Sequence, residues 1–237
     1  MKIGLIVAMD EEFNVIAQAW LPKSPANRAE REINKCRVIH LTPSEGNEVV
    51  LLCGGVGKVN AAMATMMLAA EKVDCIISSG VAGGTSPILN IGKVVVGVSY
   101  QYHDVYCGKE VCKGQVQDEP FYYYADVKLL QIASKLAIEN AVLGSIVTGD
   151  QCVDTKRQMG AILDDFPNAA AVDMESCAMA HVCHTLSVPF ISFRMLSDVV
   201  LNPLSKNYRE FWQKAPLQMA SNTMRYVMKV LKEYTPF

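Results

Sequence analysis

The stretch ISFRMLSDVV, Ile191 to Val200, decides how this chain is read. It follows Val188-Pro189-Phe190 and is mostly apolar or β-branched, the signature of a buried strand. Yet Arg194 stands in mid-run, and the run ends on Ser197-Asp198. A charge in or beside a buried strand is costly unless it is paired, hydrogen-bonded or put to use. A strand that carries polar groups toward its carboxyl end is a familiar way to build a site at the rim of an open α/β sheet.

Outward from this stretch, apolar runs alternate with helical patterns. Strands are expected at Lys2–Ala8, Cys36–Pro43, Glu48–Cys53, Val73–Ser79, Lys93–Tyr100, Ala141–Thr148, Ala169–Val172 and Val188–Leu196. Helices are expected at Asp10–Trp20, Lys58–Glu71, Asp126–Asn140, Lys156–Asp165, Met174–Leu186 and Tyr208–Lys232. Residues 101–124 read as an irregular segment too long for a plain connection, which points to a functional loop. Alternating β and α favours a sheet with helices on both faces. No repeat, low-complexity tract or linker breaks the pattern, so residues 1–237 are expected to form one domain.

The composition excludes several classes. The chain has 237 residues, is 51% hydrophobic and has a formal charge of −2 without a basic block, so neither nucleic acid nor an anionic membrane is an implied partner. No apolar stretch reaches the ~18 residues a membrane span needs. The N-terminus turns acidic after a short apolar run and reads as a first strand, not a signal peptide. Eight cysteines include no CxxC pair, and several lie inside apolar runs; buried free thiols in a reducing, cytoplasmic compartment are expected. His181 and His184 lack matching ligands nearby in sequence, so no metal site is expected. GGVGK, Gly54 to Lys58, is not a phosphate loop: Leu52 stands where the leading glycine belongs, and Val59 where a Ser or Thr would hold magnesium.

The polar residues that follow strands are then worth collecting. They are Met9 to Glu12, Gly80 to Gly84, Gly149-Asp150, Asp173 to Ser176, and Ser197-Asp198. Each has an ordinary structural reading. Asp10, Glu11 and Glu12 suit a helix N-terminus, Glu175 could cap a helix, Asp198 could be a cap paired with Arg194, and the glycines could form a tight turn. Three separate acids capping by coincidence at one sheet edge is the weaker account.

Taken in order, MKIGLIVAMDEE, GGVGKVNAAMAT, ISSGVAGG, IGKVVV, QYHDV, GSIVTGD, AVDMESCAMAHVCH and VPFISFRMLSDV make a sequence that resembles the 5′-methylthioadenosine/S-adenosylhomocysteine nucleosidases of the purine nucleoside phosphorylase superfamily. The resemblance covers nearly the whole chain and is weakest at 21–47 and 105–124. It implies a three-layer α/β/α, phosphorylase/hydrolase-like fold with a mixed, partly barrel-like central sheet. It also implies a homodimer without cofactor or metal, hydrolysis of an N-ribosidic bond, and a place in methionine salvage. Position by position, it implies Asp198 as the acid on purine N7 and Glu12 as the base on water. Met174 and Glu175 would bind the ribose, and Arg194 would support the water. Val153 would read the adenine edge by its main chain, Met9 and Tyr208 would form apolar walls, and Ser197 would line the site beside Asp198.

Elementary chemistry leads to the same roles. A purine leaves as a neutral base once N7 is protonated, and a carboxylic acid can do this only if its pKa is raised. Arg194 beside Asp198 would oppose that, so Arg194 is expected to face Glu12 and Glu175. Phosphorylases of the superfamily place an arginine just before the glycine turn; Ile76 to Gly80 has none, and the acidic VAMDEE loop opposes phosphate, so water is the expected nucleophile. Three departures leave the substrate open. Val81 replaces a usual Ser or Thr, Cys152 replaces a usual aromatic on the adenine, and residues 103–126 lose the usual continuation after His103-Asp104. Unsubstituted adenosine or inosine, taken by a nucleosidase or a phosphorylase, and a non-catalytic nucleoside-binding protein are the alternatives.

Overall fold

The computed structural model describes residues 1–20, 30–136, 141–202, 211–212 and 215–235. The described residues include ten strands and six helices of the core, in mixed order. The strands are β1 (Lys2–Val7), β2 (Arg31–Ile33), β3 (Cys36–Ser44), β4 (Asn47–Cys53), β5 (Cys75–Gly84), β6 (Val94–Tyr102), β7 (Tyr123–Tyr124), β8 (Ala141–Thr148), β9 (Ala169–Asp173) and β10 (Phe190–Asp198). The helices are α1 (Asp10–Trp20), α2 (Lys58–Ala70), α3 (Val127–Lys135), α4 (Lys156–Asp165), α5 (Ser176–Thr185) and α6 (Pro216–Glu233).

All ten strands belong to one mixed sheet, ordered β10-β6-β8-β9-β5-β1-β4-β3-β2, with β7 on β6. An additional β10–β5 pairing closes β10, β6, β8, β9 and β5 into a ring, and β1, β4, β3 and β2 extend from it. β5 makes this possible. Its first half pairs with β1, its last two residues pair with β9, and β10 runs parallel to it along nearly its whole length. Parallel strands covered on both faces lack alternation. Accordingly Ile3 to Val7 and Val49 to Cys53 are buried without a break, and those two strands run parallel in register. The antiparallel β3 shows an interrupted burial pattern instead.

Most expected elements are present. Five cysteines, Cys36, Cys53, Cys75, Cys177 and Cys183, are buried free thiols; Cys107, Cys112 and Cys152 are also free but exposed. One expectation needs correction. Gly80 to Gly84 is not a turn after a strand; it is the second half of β5, bonded to β9 and β10. The last strand likewise runs on through Ser197 and Asp198, with a register shift between Leu196 and Asp198. The strands β2 and β7 fall where none was expected. The expected helix start at Tyr208 and the end of the helix expected to reach Asn140 lie outside the described residues.

Candidate active site

The site begins at the junction of β1 and α1. The Met9 carbonyl accepts the first helical bond, from Phe13 N at 3.0 Å, so Glu12 occupies the third helical position. From there its carboxylate reaches back to the N–H groups of Ala8 (2.9 Å) and Met9 (3.0 Å) through Oε2. This is half of a capping box, so Glu12 does serve the helix. Its other oxygen does something else: Oε1 accepts from Val81 N on β5 at 3.0 Å. Glu12 is buried, and burial raises its pKa against the opposing pull of Arg194 and these three N–H donors.

Gly80 explains how the second charged group comes so close. A Cβ there would fall 2.8 Å from Glu12 Oε1 and 3.1 Å from Arg194 Nη1, so both groups meet over that Cα. Arg194 is 2% exposed. Its Nε donates to Asp173 Oδ2 at 2.7 Å, its Nη1 donates to Ser78 Oγ at 2.9 Å, and its Nη2 lies 3.9 Å from Glu175 Oε2. Arg194 therefore faces the Glu12–Asp173–Glu175 group, and no ion pair joins it to Asp198 among the described residues.

Glu175 stands at the N-cap position of α5 but makes no side-chain cap bond. Asp173 takes that role instead, accepting from Ser176 N at 3.2 Å through Oδ2. Glu175 is free to turn toward α2, where Gly57 N donates to its Oε1 at 2.9 Å. Gly57 adopts φ 97°, a conformation open to glycine at little cost, and it begins a helix with no local side-chain cap. Distant carboxylates fill the gap: Glu175 on Gly57 N, and Asp150 on Lys58 N at 2.8 Å. Lys58 Nζ is clamped by Asp104 at 2.8 and 2.7 Å, and Asp104 also accepts from Asp150 N. Burial and the nearby Asp173 push Glu175 up to about 7, against Arg194 and the Gly57 N–H.

Asp198 has other surroundings. It is half-buried at the end of β10, with Oδ2 3.5 Å from where a Cβ on Gly83 would lie. Its carboxyl accepts from Ser197 Oγ at 2.8 Å. Burial raises its pKa, and only the Ser197 hydroxyl opposes the shift.

The structure thus brings Glu12, Val81, Glu175 and Arg194 into one bonded cluster, with Met9 joined through its N–H. Ser197 and Asp198 adjoin the cluster along β5. Met174 is half-buried between β9 and α5. Cys152 is exposed, and Val153 packs with Met159 and Phe166; both stand outside the cluster, just past Asp150. Tyr208 lies outside the described residues. Sequence reasoning collected Asp173 without giving it a role, and it missed Ser78 and the Gly57 N–H. The signal for Asp173 was available: DMES offers two acids at a helix start, and only one can cap.

The profile of the phosphorylase superfamily matches residues 2–232. A 5′-methylthioadenosine/S-adenosylhomocysteine nucleosidase of Anoxybacillus flavithermus is 37% identical over 223 residues, 92% of this chain and 94% of that protein. Among solved structures, the 5′-methylthioadenosine/S-adenosylhomocysteine nucleosidase of S. pneumoniae with a transition-state inhibitor superposes with a TM-score of 0.83 at 30% identity, covering 99% of this chain and 100% of that one. The nucleosidase of Helicobacter pylori complexed with an aminopyrrolopyrimidine-substituted pyrrolidinol gives 0.86 at 25%, covering 97% and 98%. With its ring-closed mixed sheet and the likeness running end to end, this chain belongs to the phosphorylase superfamily and, within it, to the family of 5′-methylthioadenosine/S-adenosylhomocysteine nucleosidases.

Proposed function

We propose that the protein hydrolyses the N-ribosidic bond of purine nucleosides, foremost 5′-methylthioadenosine and S-adenosylhomocysteine, giving adenine and the thioribose. One observation carries the assignment of roles: two carboxyl groups flank the second half of β5 in opposite environments. Glu12 is held by three N–H donors beside a guanidinium, whereas Asp198 has one hydroxyl and, among the described residues, no cation. Between Val81, which holds Glu12, and Gly83, which faces Asp198, the strand advances about 7 Å. Inverting glycosidases also set an acid and a base on separate positions, because a water must fit between base and substrate.

The reaction follows. Asp198, kept protonated by burial, gives its proton to purine N7 as the C1′–N9 bond breaks and its electron pair passes to the base. Positive charge develops on the ribose, and the Glu12 and Glu175 carboxylates favour it electrostatically. Water adds to C1′ and loses its proton to Glu12, while Arg194 fixes the carboxylates around that water. Glu175 and the Met174 segment hold the ribose hydroxyls. Val153 and Cys152 meet the base, and Met9 and Tyr208 the apolar surface. One proton donor and one base on water suffice, so this chemistry calls for no cofactor or metal.

The functional unit in this reading is a homodimer of single-domain chains. α2 supports it: Val59, Met63 and Met66 lie exposed on one face, at i, i+4 and i+7. Cytoplasmic residence is supported by the eight free thiols, and no described helix is long and apolar enough to cross a membrane. A place in methionine salvage follows from the substrates.

The test is one assay with and without phosphate. Methylthioadenosine, S-adenosylhomocysteine, adenosine and inosine are each incubated with the protein, and the base and sugar products are identified by chromatography. Phosphate-independent adenine plus free methylthioribose is expected. Sugar 1-phosphate formed only with phosphate would overturn water as nucleophile. Activity on adenosine or inosine alone would reassign the substrate, and no activity at all would favour a nucleoside-binding protein.

A further inference from the structure

Asp173 is a buried carboxylate that the proposed chemistry does not use, and it is the most heavily bonded acid in the cluster. Oδ1 accepts from Thr148 Oγ1 at 2.5 Å, Ser176 N at 3.3 Å and Glu175 N at 3.4 Å. Oδ2 accepts from Arg194 Nε at 2.7 Å and Ser176 N at 3.2 Å. One side chain thus joins the end of β8, the first turn of α5 and the guanidinium on β10. The arrangement is directional. With Nε held by Asp173 and one terminal nitrogen by Ser78, the rest of the planar guanidinium is turned toward Glu175, and it meets Glu12 over Gly80. The same carboxylate caps α5, which frees Glu175 from capping and lets it reach Gly57 N.

Resting on the nucleosidase reading above, we propose that Asp173 is the positioning residue of the site: it aims Arg194 at Glu12 and Glu175, and by capping α5 it releases Glu175 toward the ribose side. It touches no reacting atom. The groups facing Asp173 and Glu175 are Arg194 from β10, Glu12 from α1, Tyr100 and His103 from β6 and the residue after it, and Cys177 on α5. Asp173 is second only to burial among the causes that raise Glu175, while Arg194 lowers both glutamates. Removing the Asp173 charge therefore lowers the pKa of Glu175 directly. It also leaves Arg194 unshared, which lowers Glu12 as well.

Asp173→Asn keeps the size and the bond from Thr148 but loses the charge. The expected result is a kcat about 10- to 100-fold lower, the scale of a misaimed group, with KM changed little. The acid limb of the pH–kcat/KM profile should move down by about one unit, as when a neighbouring like charge is removed. Asp173→Glu restores the charge and should return the acid limb to its wild-type position even where kcat stays low. Thr148→Val cuts one bond to Oδ1 but no charge, so it should cost stability and leave the limb in place. An unmoved limb in Asp173→Asn, with activity falling only as the folded fraction falls, would overturn the proposal. So would a limb that Thr148→Val moves equally. Stability against pH gives a readout independent of turnover. The loss of stability centred on the Glu175 titration should shift to lower pH in Asp173→Asn and stay put in Asp173→Glu. Wild-type protein inactive on all four nucleosides would sink the nucleosidase reading alone, and an unshifted stability profile would sink the positioning role alone.

Discussion

Glu12 on α1 and Asp198 on β10 both face the second half of β5, and the difference between their surroundings is instructive. Both are pushed toward the protonated form by burial. At Glu12 three backbone N–H groups and a guanidinium push back, and all four favour a negative charge. At Asp198, among the described residues, one hydroxyl is the only opposing partner. Two carboxyl groups that face Val81 and Gly83 of β5 are thereby suited to the opposite tasks proposed for them: one to accept a proton and the other to give one. That is the pattern by which environment sorts acid from base. The Arg194 guanidinium leads the opposition at Glu12, and the three backbone N–H groups add to it.

The contrast can be broken outright at Asp198. Asp198→Asn should lower kcat by about 10³-fold, within the range for loss of a general acid. Its melting temperature should stay close to that of the wild type, because the exchange is isosteric and burial already disfavours the charge on Asp198. Steady-state turnover within tenfold of wild type would end the leaving-group role. Emptying the other side should cost stability instead. Arg194→Met leaves Glu12, Asp173 and Glu175 buried with no cation, and loss of one partner of a buried pair costs about 3–5 kcal/mol. Urea unfolding would measure this, and a cost below about 1 kcal/mol would mean the acids do not depend on Arg194.

A finer cut displaces Glu12 without changing its chemistry. Gly80→Ala places a methyl 2.8 Å from Oε1, so the carboxylate must move. Turnover should fall by about 10²-fold, the effect of an ångström-scale misplacement; an unchanged kcat would show that Glu12 has slack. The smallest effect concerns Glu175. Its folded pKa of about 7 lies above its unfolded value, so its contribution to stability is complete below about pH 4.5 and is lost as pH rises through 7. Glu175→Gln should flatten that decline, shrinking the stability difference between pH 5 and pH 8 by about 1–2 kcal/mol. Glu12 and Asp198 keep the remaining slope. Calorimetry at the two pH values would decide, and an undiminished difference would count against the assignment.

How much of this was legible in the sequence depended on how local its cause was. β1 and β4 announce themselves because strands covered on both faces become unbroken apolar runs, and β10 does so as a mostly apolar run that carries Arg194. Arg194 turning from Asp198 was readable because a cation there would defeat a raised pKa. The second half of β5 was not readable: SGVAGG looks like a turn, and only pairing with the distant β9 and β10 makes it a strand. The strands β2 and β7, of three and two residues, are too short for any periodicity to register. In DMES, both acids suit a helix start, and the choice between them is made by Arg194 and Gly57, which lie far off in sequence.

The β5–β10 pairing also sets an order of assembly. β10 inserts between β5 and β6 and meets β5 across more than a hundred positions of chain. Contacts of such separation form late, because the loop must close before they repay it. As the chain emerges from its N-terminus, Glu12, Asp173 and Glu175 are all synthesised before Arg194, their shared cation, and before Asp198. A nascent or partly folded chain therefore holds three acids that repel one another and an open ring. It gains the counter-charge and the proposed leaving-group acid in a single step, when one strand docks. Competence for chemistry and closure of the sheet are, in this fold, the same folding event.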